Sequence, residues 1–256
     1  MNQIIECFSF IDLTSLNATD TDATIEAMVK KVNEIPQRFP HLPNVAAICV
    51  FPSFAGLVRK ALTAPHVRIA VTGAGFPAPQ TFLKIKIEEC RMAVEEGADE
   101  VDIVLPIHHF LSGNYALVTD EIGAIKEAIG GAHLKVILES GLLSTPQLIA
   151  SAGQMAMEAG ADFIKTSTGK VSPAATIEAA EVMCSQIKAY YQKTGKRIGF
   201  KPAGGIVAVE DALAYHAVVQ QTLGAEWLKP ELFRIGASRL ANNLLKCILS
   251  NSEGVF

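Results

Sequence analysis

A closed barrel of eight parallel strands, each followed by a helix, is the fold that the sequence predicts. Short β-rich runs alternate with longer helical patterns, with strand-to-strand separations of roughly 20 to 40 residues, enough for a strand and a crossover helix. A Gly-Ala-acid tripeptide recurs ahead of three of the strands. No Ser/Gly linker or low-complexity run interrupts the 256 residues, so a single (β/α)8 domain over 1–256 suits the length. An open doubly wound sheet is the alternative for the same elements, disfavoured because no G-x-G-x-x-G follows the first strand.

Taken in order, strands are expected near Phe8–Leu13, Val45–Phe51, Val67–Thr72, Glu100–Leu105, Leu134–Glu139, Asp162–Thr166, Arg197–Pro202 and Leu232–Gly236. Helical stretches lie between them. Ile25–Val32 follows a polar Thr-Asp-Thr-Asp start that can cap free N–H groups. Phe82–Glu96 carries apolar residues at helical spacing and stops at Gly97. Pro146–Ala159 opens with a cap followed by proline and stops at Gly160. Thr176–Tyr191 and Asp211–Leu223 repeat the arrangement. In Gly97-Ala98-Asp99, Gly160-Ala161-Asp162 and Gly224-Ala225-Glu226 the glycine suits a helix-ending positive φ just before the chain turns into a strand.

Composition narrows the function. Half of the residues (50%) are hydrophobic and 19% are charged, which supports one large core and excludes disorder. A net charge of −4 argues against a binder of nucleic-acid backbones. No apolar run is long enough to span a bilayer, and the Met1–Cys7 start has neither the basic nor the apolar region of a signal peptide. The cysteines (Cys7, Cys49, Cys90, Cys184, Cys247) are odd in number and scattered, which fits reduced thiols in the cytoplasm. A symmetric homodimer is the default assembly.

Catalytic groups of such barrels sit at the C-terminal ends of the strands. Two neighbouring strand ends each carry a lysine: Lys165, after Phe163-Ile164, and Lys201, after Gly199-Phe200. Alternation sets both opposite large apolar residues, so both amines point into the barrel mouth if Ile164 and Phe200 face the helices. One such lysine reads as a salt-bridged structural residue. Two on adjacent strands oppose each other's protonation, so at least one pKa should fall. A free lysine is neutral at pH 7 only about once in 2,500, and about 4 kcal/mol of differential interaction is needed to make it a competent Schiff-base nucleophile.

Asp102 alternates with Val101 and Ile103 and can also face inward, either to relay protons or only to balance charge. Asp99 and Glu100, ahead of it, are expected to be exposed. Gly204-Gly205 after the seventh strand and Gly236-Ala237-Ser238 after the eighth suit a phosphate site, with Gly169-Lys170 adding a donor and a charge; a lone Gly-Gly would be just a turn. His108-His109 reads as a pair of loop histidines without ligand spacing, so no metal is expected. Trp227 and Phe233 read as packing residues, and Glu139 is a polar residue of the mouth with no assigned role.

The segments Ile11–Asn17, Ala46–Cys49, Gly97–Asp102, Gly160–Lys170, Gly199–Gly205 and Arg234–Ser238 together resemble the deoxyribose-phosphate aldolase family of class I aldolases, in the family's order and over nearly the whole chain. The resemblance implies reversible cleavage of 2-deoxy-D-ribose 5-phosphate to acetaldehyde and D-glyceraldehyde 3-phosphate, with no metal or other cofactor. It implies that Lys165 is the Schiff-base nucleophile, with Lys201 and Asp102 perturbing it and moving protons. Asp12, Thr14 and Thr168 would line the substrate pocket, with Cys49 near it. Phosphate would meet Gly169, Lys170, Gly204, Gly205, Gly236 and Ser238. Another Schiff-base phosphosugar lyase, a transaldolase-like enzyme or a silent phosphosugar-binding barrel are the competing readings.

Four places depart from the family pattern. Ile206-Val207 stands where an arginine usually follows the two glycines, and Arg239 stands where a second serine is common, so Arg239 is expected to restore part of the missing charge. The Val71–Pro77 turn is longer than usual. Phe256 replaces a terminal tyrosine and lacks its acidic hydroxyl.

Overall fold

The computed structural model describes residues 1–249, and Phe256 lies outside them. Eight parallel strands run in one sheet: β1 (Ile11–Thr14), β2 (Ala47–Val50), β3 (Arg68–Gly73), β4 (Glu100–Val104), β5 (His133–Ile137), β6 (Phe163–Lys165), β7 (Gly199–Lys201) and β8 (Ile235–Ala237). Each of β1 to β7 pairs with its sequence neighbour and β8 pairs with β1. The ring closes between β7 and β8, where Phe200 N donates to Leu232 O at 2.9 Å, Arg234 N to Phe200 O at 3.1 Å and Gly236 N to Pro202 O at 2.9 Å. The open-sheet alternative is thereby excluded.

Helices α1 (Asn2–Ser9), α2 (Asp22–Arg38), α3 (Ala55–Ala61), α4 (Leu83–Glu95), α5 (Ile107–Leu111), α6 (Tyr115–Ala128), α7 (Pro146–Glu158), α8 (Ile177–Thr194), α9 (Val209–Thr222) and α10 (Leu240–Leu249) surround the ring. Seven of them (α2, α3, α4, α6, α7, α8 and α9) cross from one strand to the next, while α1 precedes the first strand, α5 is an extra turn after β4 and α10 follows β8. Caps explain several starts. Thr21 accepts from Thr24 N at 3.3 Å, Thr145 from Leu148 N at 3.2 Å with Pro146 behind it, and Thr176 from Ala179 N at 3.2 Å.

Two expectations change here. The expected strand from Phe8 begins only at Ile11, because Ile4, Cys7 and Phe8 recur at helical spacing and α1 packs that stripe on α9 and α10. His108 and His109 lie on α5, not in a loop. The recurring tripeptide does what its glycines suggest, with φ of 108° at Gly97, 103° at Gly160 and 100° at Gly224. In two of the repeats the following aspartate also ties the strand entrance. Asp99 accepts from Ile69 N at 2.8 Å and pairs with Arg59 at 2.8 Å; Asp162 accepts from Leu134 N at 2.8 Å and pairs with Lys126 at 2.7 Å.

The hydrophobic core lies between the ring and the helices. Ile48, Val71, Val101, Val136, Ile164 and Phe200 belong to it, and Trp227 and Phe233 join it as expected. The small apolar cluster Ala47, Cys49 and Ala70 stands apart from it, on the other face of the strands. Because side chains alternate along a strand, these small residues leave room inside the ring for longer ones.

Candidate active site

That room is filled by charge. Asp12, Glu100, Asp102, Lys135, Lys165, Lys201 and Arg234 are all buried. Glu100, expected to be exposed, is the first residue of β4 and lies on the same strand face as Asp102, two residues on. Sequence reasoning also passed over Lys135 and Arg234. Period-2 alternation on β4 carries the signal for Glu100, but only cross-strand register shows that these side chains meet.

Lys165 and Lys201 are register partners on β6 and β7. Both donate to the same atom, Asp102 Oδ2, at 2.8 Å and 2.7 Å. Lys135 donates to the other oxygen, Oδ1, at 3.1 Å. Lys201 also forms an ion pair with Asp12 at 2.5 Å, and Arg234 bonds Asp12 Oδ1 at 2.7 Å. Gly236 makes the approach possible, since a Cβ there would sit 2.8 Å from the Ala203 Cβ and 3.1 Å from the Lys201 Cε.

These contacts push the groups in different directions. Burial alone would raise the Asp102 carboxyl, but Lys135, Lys165 and Lys201 outweigh it and hold the group well below the carboxylate range. Burial would lower Lys201, but its two carboxylate neighbours, Asp102 and Asp12, reverse the sign and raise it. Burial, joined by Lys201, lowers the Lys165 amine; Asp102, the one carboxylate beside it, and Cys49 oppose this without reversing it, so the amine lies below the ordinary lysine value. Of the two lysines, then, Lys165 is the one depressed. Cys49 is buried close to these groups, and burial raises its thiol, so it sits there uncharged.

Above the charges opens a cavity of about 280 Å³. Lys165 reaches it, as do Thr14, Thr168, Gly169, Lys170, Gly204, Gly205, Gly236, Ser238 and Arg239. Asp12, Asp102, Lys201 and Cys49 do not line it; they form the buried layer beneath. Val207 and Arg239 stand on this same cavity, so the guanidinium shares the rim from which the expected arginine is missing. Gly204, with φ of 87°, packs its backbone on Gly169; a Cβ at Gly204 would lie 2.9 Å from the Gly169 Cα.

The wall toward β5 is held by Glu139. Its backbone is left-handed, with φ of 50°, and its side chain is buried. One carboxylate oxygen accepts from Thr168 N at 3.1 Å and the other from Thr168 Oγ1 at 2.6 Å. Thr168 Oγ1 in turn accepts from Lys170 N at 3.0 Å, and Lys170 Nζ donates to Leu16 O at 2.6 Å across the mouth. On the longer β3 turn, Gly75 N donates to Glu89 on α4 at 2.9 Å.

Fold and site together define an aldolase-type (β/α)8 barrel built around a buried lysine whose amine lies below its ordinary pKa. Comparison with known proteins agrees. A profile of the DeoC/LacD family aldolases matches residues 8–246, and the chain belongs to that family. It is 43% identical to human deoxyribose-phosphate aldolase, covering 98% of this chain and 82% of that one, and 40% identical to the mouse deoxyribose-phosphate aldolase over the same shares. In fold it matches the deoxyribose phosphate aldolase from Aeropyrum pernix with a TM-score of 0.75 at 23% identity, covering 98% of this chain and 94% of the other.

Proposed function

We propose that this chain is a lyase that cleaves 2-deoxy-D-ribose 5-phosphate, reversibly, to D-glyceraldehyde 3-phosphate and acetaldehyde, as a step of deoxyribose breakdown. The observation that carries this reading is one carboxylate oxygen shared by two lysine amines, at 2.8 and 2.7 Å, directly under a cavity walled by glycine loops.

In this reading neutral Lys165 attacks C1 of the open-chain aldehyde. The carbinolamine oxygen leaves as water, taking up a proton, and an iminium forms. The C3 hydroxyl then gives up its proton as the C2–C3 bond breaks, and the bonding pair moves into the iminium to leave an enamine. Glyceraldehyde 3-phosphate departs. The enamine takes a proton at the former C2, and water releases acetaldehyde and the free amine. The iminium accepts the electron pair, so the protein's own amine supplies the sink.

Asp102 and Lys201 are the proton carriers nearest Lys165. Asp102 holds the amine by its one shared oxygen, and Lys201, fixed between Asp12 and Asp102, keeps a positive charge beside it. The phosphate end is assigned to the cavity rim. There the Gly169, Gly204, Gly205 and Gly236 loops let backbone approach an anion, and Lys170, Ser238 and Arg239 supply charge and hydrogen bonds. Anchoring the far end orients C1 toward Lys165.

No helix among the described residues is long and apolar enough to cross a membrane. Four of the cysteines are buried and free, which supports the reducing cytoplasm as the compartment of this reading. The homodimer stays part of it, and sedimentation velocity tests it.

The decisive experiment is borohydride trapping with 2-deoxyribose 5-phosphate followed by mass mapping. A reduced two-carbon or five-carbon adduct on Lys165, absent in Lys165→Leu, is the expected result. An unmodified Lys165 in protein that still binds the phosphosugar would reduce the chain to a silent binding barrel.

A further inference from the structure

The reaction uses Lys165, Asp102 and Lys201, yet the ring encloses four more ionised side chains that no step consumes. Burying an ion is unfavourable even after the protein relaxes. Lys135, Asp12, Glu100 and Arg234 must therefore be held for some other reason.

Their contacts run in a line of alternating sign. Glu100 takes Arg234 in a two-pronged grip, with Oε1 to Nη2 at 2.7 Å and Oε2 to Nη1 at 3.0 Å. Arg234 Nη1 continues to Asp12 at 2.7 Å, Asp12 to Lys201 at 2.5 Å, Lys201 to Asp102 at 2.7 Å, and Asp102 to Lys165 at 2.8 Å. Lys135 braces the line from β5, touching Glu100, Asp102 at 3.1 Å and Asp12 at 3.8 Å. Of these seven groups, only Lys165 opens onto the cavity.

The arithmetic of charge is uneven. Fully ionised, the line holds four cations against three anions. With Lys165 neutral it balances. A net charge inside a dry ring is unfavourable, so the surplus proton leaves the cation with the weakest anionic support and a path to solvent. Lys135 and Lys201 each meet two or more carboxylates, Arg234 cannot be deprotonated, and Lys165 has only a shared oxygen.

We propose that Arg234 and Glu100 are positioning residues that set, from the base of the barrel, how much of Lys165 is free amine. The fixed charge of Arg234 makes the cluster one cation too rich, and Glu100 offsets that charge. The inference rests on the reading of Lys165 as the nucleophile. The ionisable groups around Lys165 are Asp102 from β4, Lys201 from β7 and Cys49 from β2; Asp12, Lys135, Glu100 and Arg234 stand behind them, and His133 of β5 faces Glu100 at 3.8 Å. Their balance is what the two residues shift.

A purely structural role and a tuning role differ in sign. Arg234→Met leaves the cluster balanced with Lys165 protonated, so the acid limb of Lys165 reactivity moves to higher pH. Glu100→Gln adds to the excess of positive charge, so that limb moves to lower pH. The experiment is the pH dependence of borohydride trapping by 2-deoxyribose 5-phosphate, from pH 5 to 10, in the wild type, Arg234→Met, Arg234→Lys and Glu100→Gln. At the pH of half-maximal wild-type trapping, Arg234→Met should trap about tenfold more slowly and recover at high pH, Arg234→Lys should return toward the wild type, and Glu100→Gln should trap faster.

Limbs that coincide, or that move the same way in Arg234→Met and Glu100→Gln, overturn the inference. If Arg234→Met does not fold, Arg234→Lys and Glu100→Gln still decide: a Glu100→Gln limb that is unmoved or moves upward is sufficient refutation. Loss of all trapping in the wild type would instead remove the proposed function, which is a distinct outcome.

Discussion

Glu139→Ala tests how the wall of the cavity is held. The side chain takes two hydrogen bonds from one residue, Thr168 N at 3.1 Å and Thr168 Oγ1 at 2.6 Å, and a bond to a buried carboxylate is worth roughly 1.5 to 3 kcal/mol. The Thr168 hydroxyl can turn to another acceptor, whereas the backbone N–H has no such freedom. A net loss of about 3 kcal/mol follows, and for a chain of this size that lowers the Tm by roughly 6 to 12 °C. Glu139 also pays a conformational cost, because its φ of 50° is left-handed without being glycine. Glu139→Gly loses the same hydrogen bonds but relieves about 1 kcal/mol of that strain, so its Tm should lie a few degrees above that of Glu139→Ala. The functional consequence runs through Thr168, which adjoins Gly169 and Lys170 on the cavity. The KM for 2-deoxyribose 5-phosphate should rise about tenfold in Glu139→Ala, about 1.4 kcal/mol of lost anchoring, while that for unphosphorylated 2-deoxyribose stays near the wild-type value. Thermal denaturation and steady-state kinetics on both sugars are the assays. Equal KM increases for the two sugars, or a Glu139→Ala protein as stable as the wild type, would refute the argument.

The remaining predictions concern charge. Lys201→Leu removes the cation that helps depress Lys165, so trapping at pH 7 should fall by at least about tenfold and recover as the pH is raised; unchanged trapping at pH 7 counts against the coupling. Arg239→Ala should raise the KM for the phosphosugar several-fold with little change in kcat, and an unaltered KM would show that the guanidinium does not replace the missing arginine. Away from the site, Lys86 Nζ meets Glu121 at 2.6 Å in a buried pair between α4 and α6, so Glu121→Ala should cost about 3 to 5 kcal/mol in urea denaturation and leave kcat/KM unchanged. Asp12, Glu100 and Asp102 have folded pKa values below their unfolded ones. Their contribution to stability is complete above the ordinary carboxylate range near pH 4, begins to fall there and is lost only as the pH drops on through their lower folded values, so urea midpoints should be flat from pH 5 to 7 and decline progressively below about pH 4.

How much of this was legible in the sequence follows from the range of the interactions. The eight strands and the five named helices depend on nearby residues, namely alternation, caps and punctuating glycines, and they fall within a few residues of their expected places, except that α2 runs on to Arg38, past the expected end at Val32. The helices that were not anticipated carry the same kind of signal. Val118, Ile122 and Ile125 on α6 recur at helical spacing, as do Leu240, Ala241, Leu244 and Leu245 on α10. The short α5 carries only one buried residue, Phe110, and two histidines, too little pattern to read. The lysines were legible because each ends a strand whose other face is apolar.

Glu100, Lys135 and Arg234 were not legible, and the reason is physical. An ionised residue on a strand is normally a solvated one, and its own segment gives no hint of the opposite charge that pays for its burial. Glu100 and Arg234 are separated by most of the chain, and they meet only because the ring closes β8 onto β1 and β7. Closure therefore does more than make a core. It brings fixed charges from remote strands to a common axis, where each ion can be satisfied only by ions of other strands. The Lys165 amine attached to that axis feels the sum of all of them, so its proton affinity is a property of the ring as a whole. A substitution at the base of the barrel, touching neither the cavity nor the amine, can for that reason reach the chemistry at its mouth.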